Sequence, residues 1–196
     1  MENYIIVAPN NYSGDAKTDF VCGGRNDELV IQKAIDKAVG ENRNIMLLNG
    51  MYHIDAFHDY YEDGGPKTAV CFPNAWREIR FIGENLEYGF QKRFDNGVVL
   101  YVSQEALSSI DGETDVIRGR WTEVGIQNGS SLHMENISVF LANNSHKIRC
   151  VDLRRTDRVE IINATLVSYA DLISEDSSNG LGTPPPIPEK GCIGLT

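Results

Sequence analysis

Two stretches decide the fold when one is laid over the other: EVGIQNGSSLHMENISV, residues 123–139, and CVDLRRTDRVEIINATL, residues 150–166. At a constant shift of 27 residues, Val124 falls on Val151, Ile126 on Leu153, Leu132 on Val159, Met134 on Ile161 and Val139 on Leu166. Asn136 falls on Asn163 in the same alignment. Apolar residues thus recur at alternate positions, the spacing of side chains on one face of a strand. A unit of short strands cannot bury its own apolar side, whereas stacked units can. Stacked Asn136 and Asn163 would hydrogen-bond from one unit to the next at a sharp turn, which accounts for Asn among apolar neighbours. An earlier unit fits at a shift of 53, with Ile79, Phe81 and Gly83 preceding Leu132, Met134 and Asn136. A later one begins at Gly191, where Cys192, Ile193 and Leu195 match Cys150, Val151 and Leu153. The pattern predicts an all-β solenoid. A β-sandwich is the alternative, and it does not require inward residues at a fixed shift.

Upstream, short apolar runs at 45–48, 51–54, 69–72, 79–82 and 98–102 are broken by Asn, Gly, Ser and Asp, as expected of short strands. Residues 4–8 read as a strand. The one strong helix is predicted over 26–39, with Ile31, Ala34, Ile35, Ala38 and Val39 on one stripe and Gly40 ending it. Asn26 is expected to cap its first turn, and Asp27 and Glu28 to complement its positive end. Only one face is apolar, so the helix should lie on something.

The 196 residues suit one domain. A net charge of -10 argues against a general nucleic-acid binder or an anionic-membrane binder. No apolar run approaches the ~20 residues of a membrane span, and MENYIIVAPN does not read as a signal peptide. The location is left open between cytoplasmic and virion-associated. Cys22, Cys71, Cys150 and Cys192 are spread singly, as buried free thiols would be.

The stretch DFVCGGRNDELVIQKAIDKAVGENRNIMLLNGMYHI, residues 19–54, resembles the opening of right-handed parallel β-helix proteins of the pectate-lyase-like superfamily. Asn26-Asp27-Glu28 with Ile31 and Ile35 match the helix, Asn49-Gly50 the turn, Tyr52-His53-Ile54 the next strand, and Arg80-Phe81-Ile82-Gly83 the next rung. The resemblance implies a right-handed parallel β-helix of about four rungs, with residues 1–43 forming an N-terminal strand and capping helix and 44–196 the rungs. It also implies a carbohydrate-active protein that binds, and cleaves or modifies, a polysaccharide or oligosaccharide along its groove. The superfamily holds lyases, hydrolases and epimerases, and also non-catalytic structural or adhesive β-helices such as phage tail-spikes, so the resemblance leaves the reaction open.

The groove of such proteins runs along the first strand of each rung, here expected at 69–72, 123–127 and 149–153. Glu123 and Asp152 would then lie one rung apart, with backbones roughly 8 Å from one another, a spacing that suits a carboxylate pair for glycoside chemistry. Glu123, Asp152 and Arg154 are the expected catalytic groups. Gln127, Arg155 and Arg158 are the expected substrate contacts, since Arg fixes a sugar acid bidentately. The alternative is a solvated charge ladder. HIDAFHDYYEDGG, residues 53–65, gathers His53, Asp55, His58, Asp59, Glu62 and Asp63, which would admit Ca²⁺ or a transition metal, or else form a polar loop. Tyr60, Tyr61 and Trp76 would stack on sugars or pack the loop down. The residues at 191–195 read as a strand with no rung after it, so the chain is expected to be the N-terminal part of a longer protein and to self-associate through its C-terminal edge.

Overall fold

The computed structural model describes residues 3–10, 12–85, 97–121, 130–142, 148–153 and 156–168. Strands β1 (Tyr4–Ala8) and β2 (Phe20–Val21) precede helix α1 (Asp27–Gly40). Three groups of strands follow: β3 (Asn44–Leu47), β4 (Gly50–Ile54) and β5 (Lys67–Phe72); β6 (Glu78–Gly83), β7 (Val98–Val102) and β8 (Thr114–Gly119); β9 (Ser131–Glu135), β10 (Ile137–Leu141) and β11 (Ile148–Asp152). A short helix α2 (Gln104–Ser108) joins β7 to β8, and β12 (Arg158–Ile162) and β13 (Thr165–Ser168) begin a fourth group.

Each group gives one strand to each of three sheets. Their orders are β12-β9-β6-β3-β1-β2, β13-β10-β7-β4 and β11-β8-β5. The protein is mostly β, and every strand ladder among the described residues is parallel. The described strands do not form an antiparallel sandwich. Register stacks like on like: Ile45, Phe81, Met134 and Ile161 form one column, and Tyr52, Leu100, Val139 and Leu166 another. Met134 is fully buried, and Ile161 packs against the main core. A fully buried aliphatic side chain contributes about 1.5–3 kcal/mol, so each buried member of a column adds to stability.

The Asn turns form as the sequence predicts. Asn136 and Asn163 adopt φ of 58° and 53° between their strands, a left-handed conformation that Asn tolerates better than most residues. Asn163 Nδ2 donates to Asn136 Oδ1 at 2.8 Å, and Asn136 Nδ2 donates to the Gly83 carbonyl at 3.4 Å. Gly83 has no room for a side chain, since a Cβ there would sit 2.3 Å from the Asn136 carbonyl oxygen.

Three expectations are corrected. Val151 pairs with Ile117 of β8, not with Val124; the strand Thr114–Gly119 went unrecognised, and 123–127 lies outside the described residues. Val159 is 40% exposed rather than inward-facing; β12 is the last strand of its sheet among the described residues. Cys150, two residues before Asp152 and so on the face expected to line the groove, joins the apolar core. Cys22, Cys71 and Cys150 are buried free thiols; Cys192 and the 191–195 strand lie outside the described residues.

Helix α1 departs from its expected chemistry. Asn26 sits in a left-handed conformation, and its side chain makes no cap hydrogen bond. Asp27 and Glu28 are fully buried instead of facing solvent at the helix start. They point with Ile31, Ala34, Ile35 and Ala38 toward the first strands of the sheets, where β4 and β5 have no neighbour on one side. Asp27 Oδ2 accepts from the His53 amide at 2.9 Å and Glu28 Oε2 from the Asp55 amide at 3.2 Å. Burial pushes the Asp27 carboxyl up, and the His53 and Gly24 amides offset part of that rise. Gln32 closes β5 at both poles of one residue: its Oε1 accepts from the Cys71 amide at 2.7 Å and its Nε2 donates to the Cys71 carbonyl at 2.9 Å.

A buried backbone group left without a partner costs about 1–3 kcal/mol. Gln32→Leu frees two such groups on Cys71, so urea unfolding is expected to show a loss of about 2–5 kcal/mol. Lys33→Leu, on the exposed face of the same helix, is expected to change stability by less than about 0.5 kcal/mol. Equal effects of the two substitutions would contradict the capping role.

Candidate functional site

The three-stranded sheet carries a cluster of buried charge. On β5, β8 and β11, Thr68, Asp115 and Arg149 share one column, and Cys71, Arg118 and Asp152 share another. Asp115 and Arg118 are fully buried, and Asp152 is 1% exposed. Arg149 Nε donates to Asp115 Oδ1 at 2.6 Å and its Nη1 to the exposed Glu113 Oε2 at 2.8 Å. Arg149 Nη2 lies 3.6 Å from Asp152 Oδ2. Arg118 donates through Nη1 to both oxygens of Asp63, at 3.1 and 2.9 Å.

Asp63 reaches Arg118 from the connection between β4 and β5. Gly65 lets that connection approach, since a Cβ there would meet Arg118 Nη1 at 2.5 Å and the Trp121 ring at 2.9 Å. Asp63 also accepts from the amides of Gly65 and Trp121, at 3.0 and 2.8 Å. Burial would raise its carboxyl, but Arg118 and these two amides hold it below the usual carboxylate range.

Asp115 goes the other way. Burial outweighs its bond to Arg149, the nearby Asp152 charge adds to the rise, and its carboxyl is pushed up to about 6. Burial works against the charge on Arg149, yet Asp115 and Glu113 hold its guanidinium more firmly protonated than usual. Asp115 Oδ2, Arg118 Nε and Nη2, and Arg149 Nη2 are buried without a hydrogen-bond partner. A carboxyl that titrates near neutrality beside guanidinium donors is the equipment of proton transfer next to an anionic group.

Asp152 lies on the expected sheet, against Arg149 and in register with Arg118. Arg158 opens β12 in the six-stranded sheet, so it does not share a sheet with Asp152. Glu123, Gln127, Arg154 and Arg155 lie outside the described residues. Asp115 and Arg118 were missed because β8 was missed. A signal for them does exist: Asp-Val-Ile-Arg at 115–118 overlies Arg-Cys-Val-Asp at 149–152, an apolar pair flanked by opposite charges in swapped order.

The acidic stretch 53–65 does not gather a metal centre. Asp55 accepts from the Asn26 amide at 2.9 Å, His58 Nε2 lies 3.4 Å from Glu28 Oε1, and Asp63 serves Arg118. Among the described residues no group of three or more His, Cys, Asp or Glu could hold a metal ion. Tyr60 donates to the Ala69 carbonyl at 3.1 Å and Tyr61 to Asp36 at 2.6 Å, so both fasten the loop. Trp76 is 77% exposed.

No family model, curated protein or solved structure matches the chain. Among the described residues no helix is long and apolar enough to cross a membrane.

The Asp115 carboxyl is favoured protonated in the folded protein. Its contribution to stability is full below the ordinary Asp value of 3.8 and is lost as pH rises through about 6. Relative to Asp115→Asn, wild-type stability is expected to fall across that window in urea titrations at stepped pH. A difference that grows in the opposite direction would show an ionised, well-paired Asp115.

Proposed function

We propose that the chain is a right-handed parallel β-helix of the pectate-lyase-like type, which binds and chemically modifies a polysaccharide along the face built by β5, β8 and β11. The order of strands supports the fold reading: three parallel sheets are visited in turn by successive groups, and crossovers between parallel strands are right-handed in nearly all proteins. The observation that carries the functional reading is Asp115, a carboxyl raised to about 6 and bonded to Arg149 on that face. In this reading Asp115 supplies the acid or base and Asp152 the second carboxylate. Arg149 holds an anionic or hydroxyl group of the sugar. The resemblance would add Glu123 and Arg154 to the catalytic groups and Gln127, Arg155 and Arg158 to the substrate contacts.

The near-complete burial of Asp115 and Asp152 favours a second reading, a structural or adhesive β-helix in which the charged columns only lock the strands together.

Incubating the chain with a panel of neutral and uronate-containing polysaccharides, with and without Ca²⁺, separates the two. The enzyme reading expects new reducing or unsaturated ends from at least one substrate, with Asp115→Asn slowing turnover by about 10²–10⁴-fold at unchanged fold. Turnover that is untouched in Asp115→Asn, or no product from any substrate, contradicts it and leaves the structural reading.

A further inference from the structure

The six-stranded sheet carries a second polar cluster, on the side opposite its buried Leu132 and Met134. Register sets Arg80 of β6, His133 of β9 and Glu160 of β12 side by side. The His133 side chain is 5% exposed, whereas those of Glu135 and Glu160 are 37% and 45% exposed. His133 Nδ1 lies 2.9 Å from Glu160 Oε2, and its Nε2 lies 3.0 Å from Glu135 Oε2. The second contact stays within β9. The first crosses from β9 to β12, and so from the third group of strands to the fourth.

This arrangement suits one protonation state. A neutral imidazole has one N–H and one bare nitrogen. Either neutral tautomer turns a ring lone pair toward a carboxylate oxygen, and two acceptors repel. Only the imidazolium donates to both carboxylates. Loss of its proton leaves one carboxylate without a donor and takes the attraction of opposite charges from the other. Glu135 and Glu160 both reach water and are free to turn into it.

Among the described residues, the other charges facing the ring from adjoining strands are Glu78 and Arg80 on β6 and Arg158 on β12. Arg80 bridges Glu78 at 3.4 Å, and its charge opposes a second cation beside it. The carboxylates prevail: the bonds to Glu135 and Glu160 raise His133 above its ordinary value of 6.5, against burial and Arg80. His133 in turn holds the Glu160 carboxyl below its ordinary value of 4.5.

β12 relies on such a tie more than β9 does. Arg158, Val159, Glu160 and Ile162 are exposed and Ile161 is half-buried, so apolar burial holds this strand weakly. On β9 the three middle residues are buried. Asn163 bonds Asn136 at one end of β12, and the Asp157 amide bonds the Ser130 carbonyl at the other. Neither of those bonds contains a titrating group.

We propose that protonated His133 is a latch, which fastens the fourth group of strands to the third and releases it as pH rises. The tie is full between the ordinary Glu value of 4.5 and the ordinary His value of 6.5. It is lost as pH rises beyond 6.5 through the raised value of the folded chain, and again as pH falls through the lowered value of Glu160. The latch is separate from the face of β5, β8 and β11 and does not depend on what that face binds.

Amide hydrogen exchange at stepped pH, with an NMR titration of the His133 ring, tests it. The Asn136 amide donates to the Ile162 carbonyl and the Asp157 amide to the Ser130 carbonyl, both across the latched boundary. The Glu84 amide donates to the Leu47 carbonyl between the first and second groups and is the internal reference. Protection of Asn136 and Asp157 relative to Glu84 should fall by about fivefold between about pH 6 and about pH 8.5. The ring should titrate above 6.5. Glu160→Gln, at an exposed position, should lower that titration and flatten the pH dependence of both amides. A ring that titrates at or below 6.5, amides that track Glu84 at every pH, or an unchanged pH dependence in Glu160→Gln would overturn the proposal.

Discussion

A parallel sheet has a first strand, and one row of that strand's backbone groups has no neighbour to bond. Burying such a row unpaired would cost about 1–3 kcal/mol per group, and leaving it open would invite another chain. Here α1 answers the problem with side chains in place of a strand. Asp27 and Glu28 take the free amides of His53 and Asp55 beside β4, and Gln32 takes both groups of Cys71 in β5. Each acts from a face that also buries Ile31, Ala34, Ile35 and Ala38. The apolar stripe and the three polar caps are one surface, and the stacked columns beyond it start from an edge that is already satisfied.

The same helix shapes the charged face. Its Gln32 and Asp36 bond the Tyr61 hydroxyl, at 3.1 and 2.6 Å, and Glu28 meets His58. Tyr61 sits at φ of 65°, a conformation costly for an aromatic residue, and these bonds hold it there. From Tyr61 the chain needs only two residues to bring Asp63 onto Arg118. The cap and the buried arginine are therefore joined through one short loop, and a fault in the cap should reach the charged sheet.

How much of this was legible follows from how loop length varies. In the six-stranded sheet β9 and β12 are separated by 27 residues, so Leu132 and Val159, Met134 and Ile161, and the two Asn turns could be aligned by eye. In the three-stranded sheet Asp115 and Arg149 are 34 apart. A fixed shift therefore placed 123–127 where β8 belongs and hid Asp115 and Arg118. Parallel pairing and the core columns were readable because apolar alternation does not depend on loop length. The roles of Asp27 and Glu28 were not, because acids in a helix's first turn are favoured whether they face the dipole or a strand edge. Gln32 carried a usable signal: it stands four residues after Glu28, on the same face as Ile31 and Ile35. Polar residues extending an apolar stripe mark a helix that meets backbone rather than side chains.

The account rests on α1 completing the first strands, and hydrogen exchange reads that directly. The amides of His53, Asp55 and Cys71 have side chains as their acceptors, whereas those of mid-sheet strands such as β7 and β8 bond to backbone. If the caps work as described, these three amides exchange as slowly as those of Leu100 and Ile117. Exchange at the rate of exposed loop amides, with Leu100 and Ile117 still protected, would show that the edge is open and that the helix covers the strands without closing them.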